Sequence, residues 1–551
     1  MRSNVPPPWE DDAYPAANGH QDSVPPYHDP RPYAPQGQPY RDPWLTGGWF
    51  ARLLDDGASD AEQQESTALN RRWPIIVILL IQAALSVRFF RANSSSPAED
   101  SYLWAGYLDL GHHAQASQIA GLDAPFSGSP SIYPRVGALA AEFGGLAGAR
   151  ALSLVFMLIA TAALYGVTRR LWSSTAPAVF ATALFGWLGS VQVLGALATN
   201  DAMSLALLAV AAWIGVRTAT LRVAARLPLL VVAAALLLLA NATEYISLLF
   251  DPIVIAVLCL ASWRARGWGT ALVSGVVATV ATAALVFGVH KVRFAALTSP
   301  AGDTPAARIL LADGRWTGLL AVLAVAAAIA ITWRQRDAVT ALLAWVLAGA
   351  AFASALLQAR LHTTVGLALY QDAGFAAWFA SAAAGWLLAY LFVPDRRRLG
   401  RGIAILAVLV SAGIGVVTSV PQYLDWPDSN PATAELAQFV RPDGKYLAED
   451  YYQYAFALRR SISSSQWSDT SSFDYRVPGT RRLLRNDSAY AAAIKDAYFT
   501  VIALDFQETL GTDGAIERDI KKYGDYRIAA TIPFTTSAVS GQYRIWVPAE
   551  K

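Results

Sequence analysis

The stretch RRWPIIVILLIQAALSVRFFRANSSSPAEDSYLW, residues 71–104, carries the reading of the whole chain. Two arginines are followed by an apolar segment from Trp73 to about residue 90, then by a short polar linker, then by the acidic pair Glu99-Asp100. The apolar segment is long enough to cross a bilayer, for which roughly 17–25 residues suffice as a helix. Glu99 and Asp100 therefore fall just outside a first membrane span, on a short amphipathic stretch that precedes a second span. A carboxylate at the water-facing mouth of a membrane bundle is where an enzyme acting on a lipid-borne substrate places its base.

Outward from that segment the pattern repeats. Of the 551 residues, 54% are hydrophobic and only 15% are charged, against roughly 25% charged in soluble domains. Eleven apolar segments of spanning length lie near 73–90, 147–167, 176–195, 201–216, 227–241, 245–262, 269–289, 316–332, 338–357, 373–393 and 402–420. Alternate loops are short and basic: Arg71-Arg72, Arg169-Arg170, Arg217 with Arg222 and Arg226, Arg264 with Arg266, Arg334 with Arg336, and Arg396-Arg397-Arg398 with Arg401. Short basic loops remain cytoplasmic, so a plasma-membrane protein with its N-terminus in the cytoplasm is expected. The loops near 91–146, 195–201, 242–245, 290–315 and 358–372 then face outward. An odd number of spans puts the C-terminus outside as well. The start of the chain lacks the charged-then-apolar pattern and cleavage site of a secretory signal, so the first span is expected to direct insertion. The single cysteine, Cys259, excludes an intrachain disulfide.

The expected fold is an all-α polytopic membrane bundle of about eleven helices with a small α/β extracytoplasmic C-terminal domain. Residues 1–70, rich in Pro, Tyr, Gln, Asp and Gly, lack the apolar surface to offset ordering entropy and read as a disordered cytoplasmic tail. Residues 71–420 hold the transmembrane domain, with the outer loop at 91–146. Residues 421–551 return to mixed polarity. Strands are expected at 445–448, 498–504, 526–534 and 543–547, and a helix over 515–523 that stops at Gly524.

Ser96-Pro97-Ala98-Glu99 has the form of a helix start, with Ser96 as cap, Pro97 in the first turn and Glu99 closing a capping box. Capping accounts for Glu99 but not for Asp100, which shares a helical face with Leu103, Trp104 and Tyr107. Asp201, in Thr199-Asn200-Asp201, opens the fourth span as a second acid or as an N-terminal cap.

In order along the chain, Ala98-Glu99-Asp100-Ser101-Tyr102, Tyr133-Pro134, Gly148-Ala149-Arg150-Ala151-Leu152-Ser153, Tyr165 with Arg169-Arg170-Leu171, and Thr199-Asn200-Asp201-Ala202 resemble the GT-C class of membrane glycosyltransferases. The resemblance is to the family 39 and ArnT-like group, which uses polyprenyl-phosphate sugars. It covers roughly 73–420, and the proline-rich tail and alanine-rich spans resemble an actinobacterial member. It implies transfer of a sugar from a polyprenyl-phosphate donor to an extracytoplasmic hydroxyl, with inversion and with Asp100 or Glu99 as general base. The acceptor would be a glycan, a lipid or a protein. Nucleic acid is not an expected partner.

The departing lipid phosphate needs cationic or backbone donors. Among outer-loop cations the densest cluster is His290, Lys291 and Arg293, and the next is Arg360 with His362. Each of them is also suited to snorkel at the membrane interface. Tyr102, Trp104 and Tyr133, with Tyr107 and Trp316, are candidates for sugar or acceptor contact or for interfacial anchoring. No metal-ligand spacing appears and no cofactor is called for. A divalent cation held by Glu99, Asp100 or Asp201 with a lipid phosphate is compatible with the pattern.

Two positions depart from the resemblance. Gln371-Asp372 stands where relatives tend to carry a basic pair, and Glu244 stands near a usual lysine. These changes keep open a non-catalytic relative of the class. A transporter or flippase of lipid-linked sugar is the other alternative, but it calls for mid-span charges and internal repeats. The chain offers chiefly Asp251 and no clear repeat.

Overall fold

The structure is a computed structural model, and it describes residues 65–111, 132–290, 303–334, 337–363, 365–392, 398–507, 509–537 and 539–549. Residues 68–551 form one compact unit. Of residues 1–67, only the start of the helix Glu65–Val87 is described, so nearly all of the expected tail lies outside the described residues. That helix begins inside the span assigned to the tail.

Among the described residues, nine helices are long and apolar enough to cross a membrane: Tyr133–Trp172, Asn200–Thr218, Val223–Thr243, Tyr245–Arg266, Trp268–Phe287, Ala306–Arg334, Ala338–Leu361, Leu367–Phe392 and Arg398–Tyr423. Two shorter apolar helices, Trp73–Val87 and Thr175–Gly186, occupy the first and third expected positions. The third segment is interrupted. Its second half folds as a separate short helix, Gly189–Leu194, wholly buried against the bundle.

The helix Tyr133–Trp172 breaks at Gly145 (φ 61°, ψ −156°), a conformation that only glycine adopts readily. Residues 133–144 therefore belong to the outer loop, and the spanning part begins where hydropathy expects it. The core of the bundle is built largely from alanine, with Ala160, Ala209, Ala324, Ala327 and Ala383 fully buried. Such small residues let apolar helices approach closely where no solvent drives their association. The basic loops meet at one end: Arg264 donates to the Leu171 carbonyl at 2.6 Å, and Arg266 donates to the Thr220 carbonyl.

The C-terminal region contains a five-stranded mixed sheet. Its strands are β1 (Tyr446–Ala448), β2 (Trp467–Asp469), β5 (Val501–Leu504), β6 (Tyr526–Thr535) and β7 (Ser540–Pro548), in the order β2-β1-β5-β7-β6. Strand β1 runs parallel to β2 and β5, whereas β7 is antiparallel to β5 and β6. A separate pair, β3 (Asp474–Arg476) and β4 (Leu483–Arg485), completes the strands. The sheet is covered on both faces, and side-chain alternation sorts them. Leu447, Ile502, Leu504 and Trp546 pack on the helices Asp487–Lys495 and Leu510–Tyr523. Tyr446, Ala448, Val501, Ala503, Tyr543 and Ile545 pack in one cluster with Leu103, Trp104 and Leu108 of the outer-loop helix Pro97–Asp109. The acid-bearing helix is thus held between the bundle and the C-terminal sheet. Strands β2, β3 and β4, of three residues each, were too short to show a period.

Candidate active site

The helix Pro97–Asp109 starts as its sequence predicts. The Ser96 hydroxyl accepts from the Glu99 amide (3.2 Å), and the Glu99 carboxylate accepts from the Ser96 amide (2.9 Å). Gly106 permits close contact with the neighbouring outer helix, since a Cβ there would lie 1.9 Å from the Pro134 carbonyl oxygen. Helical geometry then aims successive residues in different directions.

Glu99 points into the bundle. Its Oε1 accepts from Arg150 Nε (2.8 Å) and from the Ala198 amide (2.7 Å), and its Oε2 accepts from Arg150 Nη2 (2.7 Å) as well as from Ser96. These four donors match the roughly four lone-pair positions of a carboxylate. Arg150, also fully buried, donates onward to the carbonyls of Phe90 (2.9 Å) and Ser94 (3.1 Å), and its guanidinium lies 5.4 Å from the Tyr423 ring centre. Trp426 Nε1 shares the Ser94 carbonyl at 3.2 Å. Glu99 therefore ties together the loops near 90–96 and 195–201. It has no lone pair left for an acceptor hydroxyl, so the sequence-level pairing of Glu99 with Asp100 as alternative bases separates into two different environments.

Asp100 is also fully buried, and neither carboxylate oxygen meets a donor at good hydrogen-bond geometry, with the Ser95 hydroxyl nearby but not closing a bond. Burial pushes its pKa well above the usual carboxylate range. The charges of Asp450 and Glu99 act in the same direction, while the Ser95 hydroxyl and Arg150 oppose them.

Tyr102 faces a second acidic group. Asp201, at the start of its helix, accepts from the Thr199 hydroxyl at 2.9 Å, and that hydroxyl accepts from Gln371 Nε2 at 3.0 Å. Asn200 donates to Glu244 and to the Thr243 carbonyl. Gln358 donates to Asp372, which lies in electrostatic range of Asp201, Glu244 and Asp313. The Tyr102 hydroxyl is pushed above its ordinary value by burial first, then by Glu244 and Asp201. Glu244 is raised by burial and then by Asp201. The two positions that departed from the family resemblance, Glu244 and Asp372, thus sit together with Asp201. No described contact supplies this group with a cationic partner.

The remaining predicted contact residues divide. Trp104 is buried in the interface with the C-terminal sheet, stacked on Tyr107 at 5.7 Å, and has no exposed face for a sugar ring. Tyr133 is fully buried, 3.3 Å from the Ser153 hydroxyl and edge-on to Tyr102 at 6.0 Å. Arg360 and His362 are exposed, and the His362 ring nitrogen Nδ1 lies 3.0 Å from the Thr304 carbonyl. Lys291 and Arg293 lie outside the described residues, as does the side chain of His290. Among the described residues, no three His, Cys, Asp or Glu side chains are arranged to hold a metal ion.

The sequence did not reveal that Asp450 of the C-terminal region acts on Asp100, nor the anchoring role of its neighbour Glu449. Glu449 accepts from the amides of Asp505 (3.0 Å), Phe506 (2.6 Å), Gln507 (3.0 Å) and Thr509 (2.8 Å). Asp450 follows it in the left-handed region (φ 38°) and faces Asp100. These residues lie some 350 positions from Asp100 in the chain, and no local signal connects them to it.

No protein-family model and no curated protein matches the chain. Similarity appears at the level of fold, and the class it defines is the GT-C-like membrane bundle with a C-terminal α/β region. ArnT from Cupriavidus metallidurans, solved with undecaprenyl phosphate bound, superposes with a TM-score of 0.53 at 12% identity over 87% of this chain and 99% of its own. Its apo form gives a TM-score of 0.52 at 13% identity, over 86% and 97% of the two chains. The mycobacterial arabinofuranosyltransferase AftD gives 0.51 at 12% identity, over 87% of this chain and 40% of its own.

Proposed function

We propose that the protein is a membrane glycosyltransferase. It moves a sugar from a polyprenyl-phosphate donor to an acceptor hydroxyl on the non-cytoplasmic side, with Asp100 as general base. The observation that carries this reading is the buried, unpartnered carboxylate of Asp100 on a bundle that shares its fold with an undecaprenyl-phosphate-binding ArnT. The adjacent Glu99 is saturated by structural donors.

In this reading the Asp100 carboxylate takes the acceptor's O–H proton as that oxygen bonds to the anomeric carbon. The bond from that carbon to the phosphate oxygen breaks, and polyprenyl phosphate departs with the electron pair. Attack from the face opposite the phosphate inverts the anomeric configuration. A carboxylate whose pKa is raised is a better base for this step than an ordinary surface acid. The donor's phosphate would be met by the cations at the outer ends of the spans: His290, Lys291, Arg293, Arg360 and His362. Arg88, bonded to Gln192 (2.9 Å) and Ser419 (2.7 Å), joins these candidates. The N-terminus is cytoplasmic and the C-terminal region extracytoplasmic, as the loop charges support.

A second reading, a non-catalytic member of the fold, is favoured by one observation: Asp201, Glu244 and Asp372 gather where a phosphate donor needs positive charge. Transfer from a panel of polyprenyl-phosphate sugars in reconstituted vesicles separates the two. Transfer that falls in Asp100→Asn supports the enzyme. Its absence with every donor, in folded wild-type protein, supports the second reading. Comparison of cell-envelope glycans with and without the protein names the product.

A further inference from the structure

A cavity of about 190 Å³ lies between the start of the acid-bearing helix and the C-terminal region. Asp425, Trp426, Asp450, Gln453, Asp505 and Gln507 line it, with Pro97 at the helix start. Gln453, Asp505 and Trp426 are buried, while Asp425 and Gln507 are exposed at the rim. Behind this lining, and not part of it, the Asp100 carboxylate and the Tyr543 hydroxyl are buried without partners, Asp100 in electrostatic range of Asp450 and Tyr543 in range of Asp450, Asp505 and Asp100.

The geometry points to this cavity as the acceptor subsite, taking a neutral polyhydroxylated carbohydrate one sugar residue deep. This assignment rests on the transferase reading.

The chemistry of the lining selects the ligand class. Among the described residues no Lys, Arg or His lines the cavity, so a phosphate or a carboxylate would enter unpaired beside several acids, which like-charge repulsion opposes. Sugar hydroxyls both donate and accept, and they need both kinds of partner close together. A carboxylate accepts only, whereas the Gln453 and Gln507 amides do both. Asp505 is pushed up to about 9, by burial first and then by its hydrogen bond to Glu449, so at neutral pH it carries a proton. Trp426, buried against Tyr423, supplies part of the cavity's apolar wall and not an open ring face. A polyol placed here lies beside Pro97, three residues before the proposed base.

The test uses the full-length protein in lipid nanodiscs and reads binding without needing transfer. Mannotriose, glucuronic acid and glucosamine serve as neutral, anionic and cationic probes, followed by saturation-transfer NMR and calorimetry. Mannotriose is expected to bind, with affinity reduced at least 10-fold in Gln453→Ala and in Asp425→Asn while the melting temperature holds. Glucuronic acid is expected not to bind. Asp425→Asn, at the exposed rim, separates loss of the subsite from loss of the fold. Equal mannotriose binding in both variants, no binding to folded wild type, or binding of glucosamine alone overturns the assignment. Mannotriose binding without transfer from any donor would defeat the transferase reading and leave the carbohydrate site standing. Transfer without carbohydrate binding would do the reverse.

Discussion

Glu99 and Arg150, 51 positions apart, form a fully buried two-pronged ion pair in which both carboxylate oxygens and two guanidinium nitrogens are engaged. The remaining donors of Arg150 hold the carbonyls of the loop after the first helix, and the remaining lone pairs of Glu99 hold the Ser96 and Ala198 amides. The pair fixes this end of the bundle, and so it fixes where the next residue, Asp100, is placed.

Removing one partner of a buried pair strands the other charge, at a cost of about 3–5 kcal/mol. Glu99→Gln and Arg150→Met are each expected to lower the melting temperature sharply in detergent, with loss of folded yield. The double variant Glu99→Leu/Arg150→Met should recover part of that loss. Single variants that melt like wild type would remove the pair from its structural role.

Asp100→Asn should behave in the opposite way. It removes an unpartnered buried carboxyl group, so the melting temperature is expected to stay level or rise, while transfer falls by the roughly 10²–10⁴-fold typical of a lost general base. The wild-type rate should rise with pH along a limb displaced above the ordinary carboxylate range, because burial disfavours the ionised form of Asp100. Transfer that survives both Asp100→Asn and Glu99→Gln would reject a base in this loop.

The C-terminal acids give stability a pH slope of defined sign. Asp505 is raised to about 9 and Asp513 to about 8, both by burial first and then through Glu449. In an unfolded chain each would titrate near 4. Between those limits the folded state holds more protons than the unfolded state, so stability is fully present below about pH 4 and declines as pH rises toward about 9. Thermal scans across that range should show the decline, and Asp505→Asn should flatten it. A slope unchanged by Asp505→Asn would show that Glu449 does not share its site with protonated neighbours.

Gly106→Ala tests the contact between the two outer helices. The added methyl would meet the Pro134 carbonyl at 1.9 Å, and backbone cannot yield as a flexible side chain does. The expected result is a loss of stability out of proportion to one methyl group. Proteolysis of intact membranes should report it as faster cleavage at the outer loop. Wild-type protection would mean that the helices are not in contact.

Much of this protein was legible in its sequence because the responsible forces are local or additive. Each apolar run carries its own transfer free energy, so helix positions from Asn200–Thr218 to Arg398–Tyr423 follow from hydropathy alone. Ser96 and Glu99, three residues apart, determine a capping box without reference to the rest of the fold. The strands β1, β5, β6 and β7 were visible through their β-branched and aromatic composition, β5 as a continuous apolar run.

What the two neighbouring acids do was decided by tertiary structure. From sequence they were near-equivalent, since both sit in the first turn of one helix. The fold turns Glu99 toward Arg150 and Ala198, and turns Asp100 toward Asp450, some 350 positions away. It buries Trp104 beneath the C-terminal sheet and gathers Asp201, Glu244 and Asp372 from three different helix ends. Those outcomes depend on which distant groups meet a side chain in a low-dielectric interior. There one missing partner separates a carboxylate that anchors the fold from a carboxylate left without donors, and no local pattern records it.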